Sequence, residues 1–202
     1  MSGTIICYGD SNTYGYDPCV MAGDRYPEED RWTEILERET DWKIEDHGIC
    51  GRCIPHTRSQ IRFACEQLRD WQDMDAPVQL WIMLGTNDLL QERQFTAEDT
   101  AQRMEDFLKK IMAEPAVSDG KITLRLIAPA RMEYGAWVDE ERLYLESRRL
   151  GEAYRKVAER MGTDFTDAGK WEIPVVYDGV HFSEKGHHIF AQKIQEELTW
   201  LR

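Results

Sequence analysis

The chain has 202 residues, 42% hydrophobic and 31% charged, a balance that fits one soluble globular domain spanning residues 1–202 and excludes a disordered chain. No apolar run reaches the roughly 18 residues a membrane span needs. Thirty-eight acidic against 25 basic side chains leave a formal charge of −13, which opposes non-specific binding to nucleic acid or anionic lipid.

A neutral or cationic small molecule is therefore the expected partner, with no nucleic acid and no membrane. Five cysteines are an odd count for a disulfide framework, and the N-terminus passes from Thr4 straight into Ile5-Ile6-Cys7-Tyr8 without a charged leader and apolar stretch. Both features favour a reducing compartment, so the expected location is cytoplasmic.

In chain order, Thr4–Tyr8 reads as a short strand ending at Gly9, and Arg31–Thr40 as a helix through Trp32, Ile35 and Leu36. Trp42–Asp46 is a weaker strand candidate, and Ser59–Trp71 a helix with Ile61, Cys65 and Leu68 on one face. Val78–Leu84 is apolar without alternation, as a central strand covered on both faces should be. Thr96 with Asp99 forms a capping box before a helix carrying Met104, Phe107, Leu108, Ile111 and Met112. Ile122–Ala128 is another buried-type strand, Glu140–Met161 a long helix, and Thr163–Thr166 a short last strand. Ser183 caps a final helix that turns Phe190, Ile194, Leu198 and Leu201 inward. Strands interleaved with helices predict a parallel sheet with helices on both faces. Gly15–Asp30, Pro129–Asp139 and Ala168–Asp178 remain as irregular stretches suited to contacting substrate.

Four short blocks carry candidate chemistry. Gly9-Asp10-Ser11-Asn12 follows the first strand, where a tight turn into a short helix would aim the Ser11 hydroxyl and N–H at one point. Asp178-Gly179-Val180-His181 precedes the last helix. A serine hydroxyl needs a base within hydrogen-bond reach, and the base needs a carboxylate to hold its tautomer. Gly51 offers a backbone N–H unshielded by a side chain, and Asn87 in Gly85-Thr86-Asn87-Asp88 a neutral amide donor; both suit an oxyanion. Singly, each has an ordinary reading: Ser11 as a helix cap, His181 as a surface histidine, Gly51 and Asn87 as turn residues. Their joint presence points to acyl transfer. The sequence Gly9-Asp10-Ser11-Asn12-Thr13 is not the Gly-x-Ser-x-Gly of a nucleophile elbow, and neither a dinucleotide fingerprint nor a P-loop is present.

Taken together, Gly9-Asp10-Ser11, Gly51, Gly85-x-Asn87-Asp88 and Asp178-x-x-His181 resemble the four ordered blocks of the SGNH (GDSL-like) hydrolases, over residues 5 to about 190. The resemblance implies a flavodoxin-like three-layer α/β/α sandwich with a five-stranded parallel sheet. It implies Ser11 as nucleophile, His181 as base and Asp178 as its orienter, with the Ser11 and Gly51 N–H groups and the Asn87 amide as oxyanion hole. No cofactor and no metal are implied. Gly9–Tyr16 followed by Arg31-Trp32-Thr33 is similar to the arylesterase/acetylesterase branch, whose members favour small acyl groups; several are oligomeric, which leaves a homo-oligomer open. By the same analogy Asp10, Tyr14, Tyr16 and Trp32 are candidate substrate-binding residues. The chain departs from the usual pattern at Asn12, where Leu or Ile is common. It departs also at Asp46-His47-Gly48, so Gly48 is the alternative to Gly51. Sugar O-deacetylase, lysophospholipase and thioesterase activities belong to the same fold.

Two rival constellations stand beside this one. Cys50-Gly51-Arg52-Cys53 is a C-x-x-C that would serve thiol redox chemistry if a thiol pKa were lowered. His181, His187, His188 and Asp178 are metal-ligand types, but adjacent His187 and His188 diverge on a helix.

Overall fold

The computed structural model describes residues 3–20, 24–74 and 76–199. Five strands form one parallel sheet: β1 (Gly3–Gly9), β4 (Trp42–Gly48), β5 (Val78–Met83), β6 (Ile122–Ala128) and β7 (Asp164–Asp167), in the spatial order β4-β1-β5-β6-β7. Ile6 pairs with Glu45 on one side and Leu80 on the other, so β1 is an interior strand. A small antiparallel pair, β2 (Tyr16–Asp17) and β3 (Asp24–Arg25), stands apart from the sheet.

The period-two alternation of a strand sorts the core into two layers. Ile6 and Tyr8 of β1, Leu80 and Ile82 of β5, and Leu124 and Leu126 of β6 face one side. There they meet helices α3 (Arg58–Trp71), α5 (Ala97–Met112) and α7 (Glu141–Met161). Ile5 and Cys7, Trp81 and Met83, and Ile127 face the other side, against α2 (Trp32–Glu39) and α8 (Glu184–Thr199). Full burial of a side chain such as Leu68 or Ile194 contributes about 1.5–3 kcal/mol, so neither layer is dispensable. The expected three-layer parallel fold is the observed one.

Differences from expectation are local and have physical causes. The capping box of α3 is Thr57 with Gln60, so the helix begins at Arg58. Gly85-Thr86-Asn87-Asp88, a turn or cap on its sequence, opens a further helix, α4 (Thr86–Gln91). Gly15–Asp30 is not irregular throughout, since it holds β2, β3 and a 3-10 turn at Glu28–Asp30. Another short helix, α6 (Pro115–Ser118), lies before β6. Ser183 caps α8 as expected, accepting from the Gly186 N–H at 3.1 Å; Leu201 lies outside the described residues. Among those residues no helix is long and apolar enough to cross a membrane.

The end of β4 approaches the backbone of residues 13 and 14, in the segment after β1, so closely that residue 48 has no room for a side chain. A Cβ there would lie 2.1 Å from the Tyr14 nitrogen and 2.8 Å from the Thr13 carbonyl carbon, both backbone. Gly51, by contrast, has open space around it but a φ of +75°. Gly48→Ala should therefore destabilise by about 3 kcal/mol or more, and Gly51→Ala by about 1–2 kcal/mol through left-handed strain alone. Urea unfolding ranks the two; equal costs would contradict the close approach of β4 to the segment after β1.

Candidate active site

Residue 10 joins the end of β1 at Gly9 to the short helix α1 (Ser11–Tyr14). Asp10 is its N-cap, accepting from the Asn12 N–H at 3.0 Å, and Gly15 closes it with a φ of +78°. This turn lifts Ser11 above the carboxyl end of β1, the place where open parallel sheets bind ligands. Ser11 Oγ lies 3.0 Å from His181 Nε2, and His181 Nδ1 lies 2.7 Å from Asp178 Oδ2. The second Asp178 oxygen accepts the N–H groups of Val180 at 2.8 Å and His181 at 3.0 Å. Ser11, 170 residues before His181, thus joins His181 and Asp178 in one hydrogen-bonded relay.

Burial alone would raise the Asp178 carboxyl, but the bonds from His181 and the Val180 N–H outweigh it and hold the group below its ordinary range. Asp178 is consequently ionised wherever the imidazole needs a counter-charge. Asp10 is the opposite case. Burial pushes its carboxyl up to about 6, only partly offset by the Asn12 N–H and the charges of His181 and Arg52.

The loop between β4 and α3 brings Gly51 to the same edge. It is tied at every turn: Ile49 N–H to Gly9 C=O at 3.1 Å, Arg52 Nη1 to Gly9 C=O at 3.0 Å, and Ile54 N–H to Asp88 Oδ2 at 3.0 Å. The Arg52 guanidinium also lies 4.0 Å above the Tyr8 ring. Asp88 is fully buried and receives Arg103 Nη1 at 2.8 Å, so a paired charge holds this loop from beneath. Asn87 Nδ2 donates to the Arg52 C=O at 3.2 Å, and at a long 3.4 Å to Asp10 Oδ2. The first bond fixes the amide beside Gly51; the second is weak enough to be exchanged for a better acceptor. Gly48 is the poorer donor, because its N–H is already bonded to Asp46 Oδ1 at 2.8 Å.

Four residues were expected to contact substrate. Tyr16 is half-buried and packs edge-on against His181, ring centroids 4.9 Å apart. Tyr14 is half-buried with Arg25 above its ring. Trp32 and Asp10 are corrections. The Trp32 ring is 1% exposed, packs on Phe190 and donates Nε1 to the Asn12 C=O at 2.9 Å, so it supports the serine turn from the core. Asp10 is 2% exposed and spends its carboxylate on the cap. Trp137 was not singled out: it stands against His181 at 5.0 Å, and its sequence signal was its place in the irregular Pro129–Asp139 stretch.

The rivals fare differently. Burial pushes both thiols of the C-x-x-C up, Cys53 to about 12, the reverse of what a redox dithiol needs. His187 is enclosed between Tyr26 and Phe182, and His188 binds Asp30, so the four metal-ligand candidates do not converge.

Asn12, the departure from the usual pattern, joins the two halves of the relay. Its Nδ2 donates to Val180 C=O at 3.1 Å and its Oδ1 accepts the Phe182 N–H at 2.9 Å. Asn12→Ala leaves both buried partners unpaired, and should cost about 2 kcal/mol or more in urea unfolding and about ten-fold or more in kcat. Unchanged values for both would contradict the link. Asp10, with a folded pKa raised above its unfolded value, favours the fold below about pH 4 and loses that contribution as pH rises through 6. Between those limits Asp10→Asn should gain up to about 3 kcal/mol relative to the parent, read from unfolding curves at pH 4 and pH 7; a constant difference would refute the shift.

The sequence from residue 7 to 189 matches the GDSL-like Lipase/Acylhydrolase family. None of the curated proteins matches the chain. Among solved structures it is similar to a putative arylesterase from Agrobacterium tumefaciens, at 26% identity and TM-score 0.78, covering 98% of each chain. The M. smegmatis aryl esterase aligns at 22% identity and TM-score 0.80, over 99% of this chain and 100% of that one. A carbohydrate acetylesterase from Sinorhizobium meliloti aligns over the same shares at 23% and 0.80. These last two likenesses concern the fold. With the family matched over nearly its whole length, the chain belongs to the GDSL-like (SGNH) lipase/acylhydrolases and is a carboxylic ester hydrolase.

Proposed function

We propose that the protein hydrolyses short-chain, acetyl-type esters through an acyl-enzyme on Ser11. The observation that carries this reading is the unbroken relay from Ser11 Oγ through His181 to Asp178, at 3.0 and 2.7 Å. Ser11 attacks the ester carbonyl as His181 Nε2 takes its proton, and the ionised Asp178 stabilises the imidazolium. The developing oxyanion is received by the N–H groups of Ser11 and Gly51 and by Asn87 Nδ2, whose weak bond to Asp10 is given up for it. His181 then protonates the departing alcohol, activates water, and the acid is released.

Preference for a small acyl group is supported by a structural relative described as a carbohydrate acetylesterase. Sugar O-deacetylation, lysophospholipase and thioesterase activities are the alternatives within the same chemistry. Five free thiols suit a reducing, cytoplasmic setting.

On p-nitrophenyl acetate, Ser11→Ala should lose about 10⁴-fold or more in kcat, and Asn87→Ala about 10²–10³-fold. Rates should fall along the series from acetate to octanoate and resist EDTA. A Ser11→Ala protein as fast as the parent would exclude the mechanism.

A further inference from the structure

The wall beside His181 contains a residue the acyl-transfer machinery does not use. Trp137 is 49% exposed, yet its position is closely fixed. It lies in a tight turn where Gly135 and Val138 exchange backbone hydrogen bonds, and the Val138 side chain is fully buried. The turn is joined to the catalytic loop by Trp137 N–H to Asp178 C=O at 3.0 Å, Ala136 N–H to Tyr177 C=O at 3.1 Å and Glu133 N–H to Gly179 C=O at 2.9 Å. Residue 135 is glycine because a Cβ there would meet the Asp178 carbonyl carbon at 2.4 Å. A large apolar ring is thus held rigidly in water, edge to face with His181 at 5.0 Å and 79°. Core packing does not explain an indole left half in solvent.

We infer that Trp137 is a stacking platform for the alcohol half of the substrate, and that this alcohol carries a ring with a flat apolar face, aryl or pyranosyl. The inference rests on the serine mechanism proposed above. When the tetrahedral intermediate collapses, the leaving oxygen must lie within about 3 Å of His181 Nε2 to receive its proton. The alcohol, not the acyl group, is therefore the half brought next to the imidazole, and Trp137 is the exposed ring centred 5.0 Å away. A phenol or a sugar hydroxyl has its ring directly on or one carbon from that oxygen, which puts the ring over the indole. A short alkyl alcohol has nothing to stack. The half-buried Tyr16 packs on the same imidazole, so a second aromatic side chain borders this place.

The test compares phenyl acetate, a 6-O-acetylated methyl glucoside and ethyl acetate on the parent, Trp137→Ala and Trp137→Phe. Each ester is its own control across the proteins, so leaving-group reactivity cancels. For Trp137→Ala, kcat/KM for at least one ring ester relative to ethyl acetate should fall by roughly three- to ten-fold, the scale of one aromatic contact. The loss should sit in KM, with most of it restored by Phe. Which ring ester responds tells an aryl from a sugar substrate. An unchanged ratio, or an equal fall in kcat for all three esters with a displaced pH profile, would overturn the platform and make Trp137 a packing support for His181. Failure of the underlying mechanism is distinct: it would show as Ser11→Ala turning over ethyl acetate at the parent rate.

Discussion

Everything at the active edge depends on two distant pieces of chain being held in one register. The first is the turn after β1 that carries Ser11; the second is the 178–182 loop that carries Asp178 and His181. Asn12 bridges them with a donor and an acceptor, at 3.1 and 2.9 Å, to main-chain groups of Val180 and Phe182. Because the bonds go to backbone, they fix position as well as proximity, and the 3.0 Å approach of Ser11 to His181 follows from them. Trp32 extends the constraint into the core by gripping the Asn12 carbonyl.

Two buried carboxylates at this edge have opposite electrostatic fates, and the difference follows from their partners. Asp178 is surrounded by donors on both oxygens and remains charged. Asp10 has one good donor and one long contact from Asn87, so its burial goes largely uncompensated and its carboxyl rises to about 6. In the proposed mechanism the first arrangement orients and stabilises a developing imidazolium. The second holds a helix cap and a weakly held amide, which the same proposal passes to an incoming oxyanion. Asp88, ion-paired to Arg103 and bonded to Ile54, supports the Gly51 loop without facing the reacting atoms.

The layers of the fold were legible in the sequence because they rest on short-range periodicity. Unbroken apolar runs such as Val78–Leu84 and Ile122–Ala128 could hardly be other than covered central strands. Ser11, Asp178, His181, Gly51 and Asn87 were legible because each sits in a short block after a strand or before a helix, where chain order alone suggests convergence. What escaped were relations between residues far apart. Asn12 looked like a deviation, since its partners lie 168 and 170 residues downstream. Trp32 read as a pocket aromatic, because an indole beside a polar motif does not reveal which way it faces. Trp137 sat in a loop without periodicity, and only the backbone bonds to Tyr177 and Asp178 place it beside His181.

The central claim is that the Ser11 hydroxyl, activated by His181, is the group that becomes acylated. Phosphorylation of the intact protein by diethyl p-nitrophenyl phosphate, followed by peptide mass spectrometry, tests it directly. A serine attacking phosphorus expels p-nitrophenolate and retains the diethylphosphoryl group. The account predicts one such group per chain, on the peptide containing Ser11, appearing in step with loss of esterase activity and much more slowly in His181→Ala. Complete inactivation with the adduct on another residue, or full labelling of Ser11 with activity intact, would contradict it.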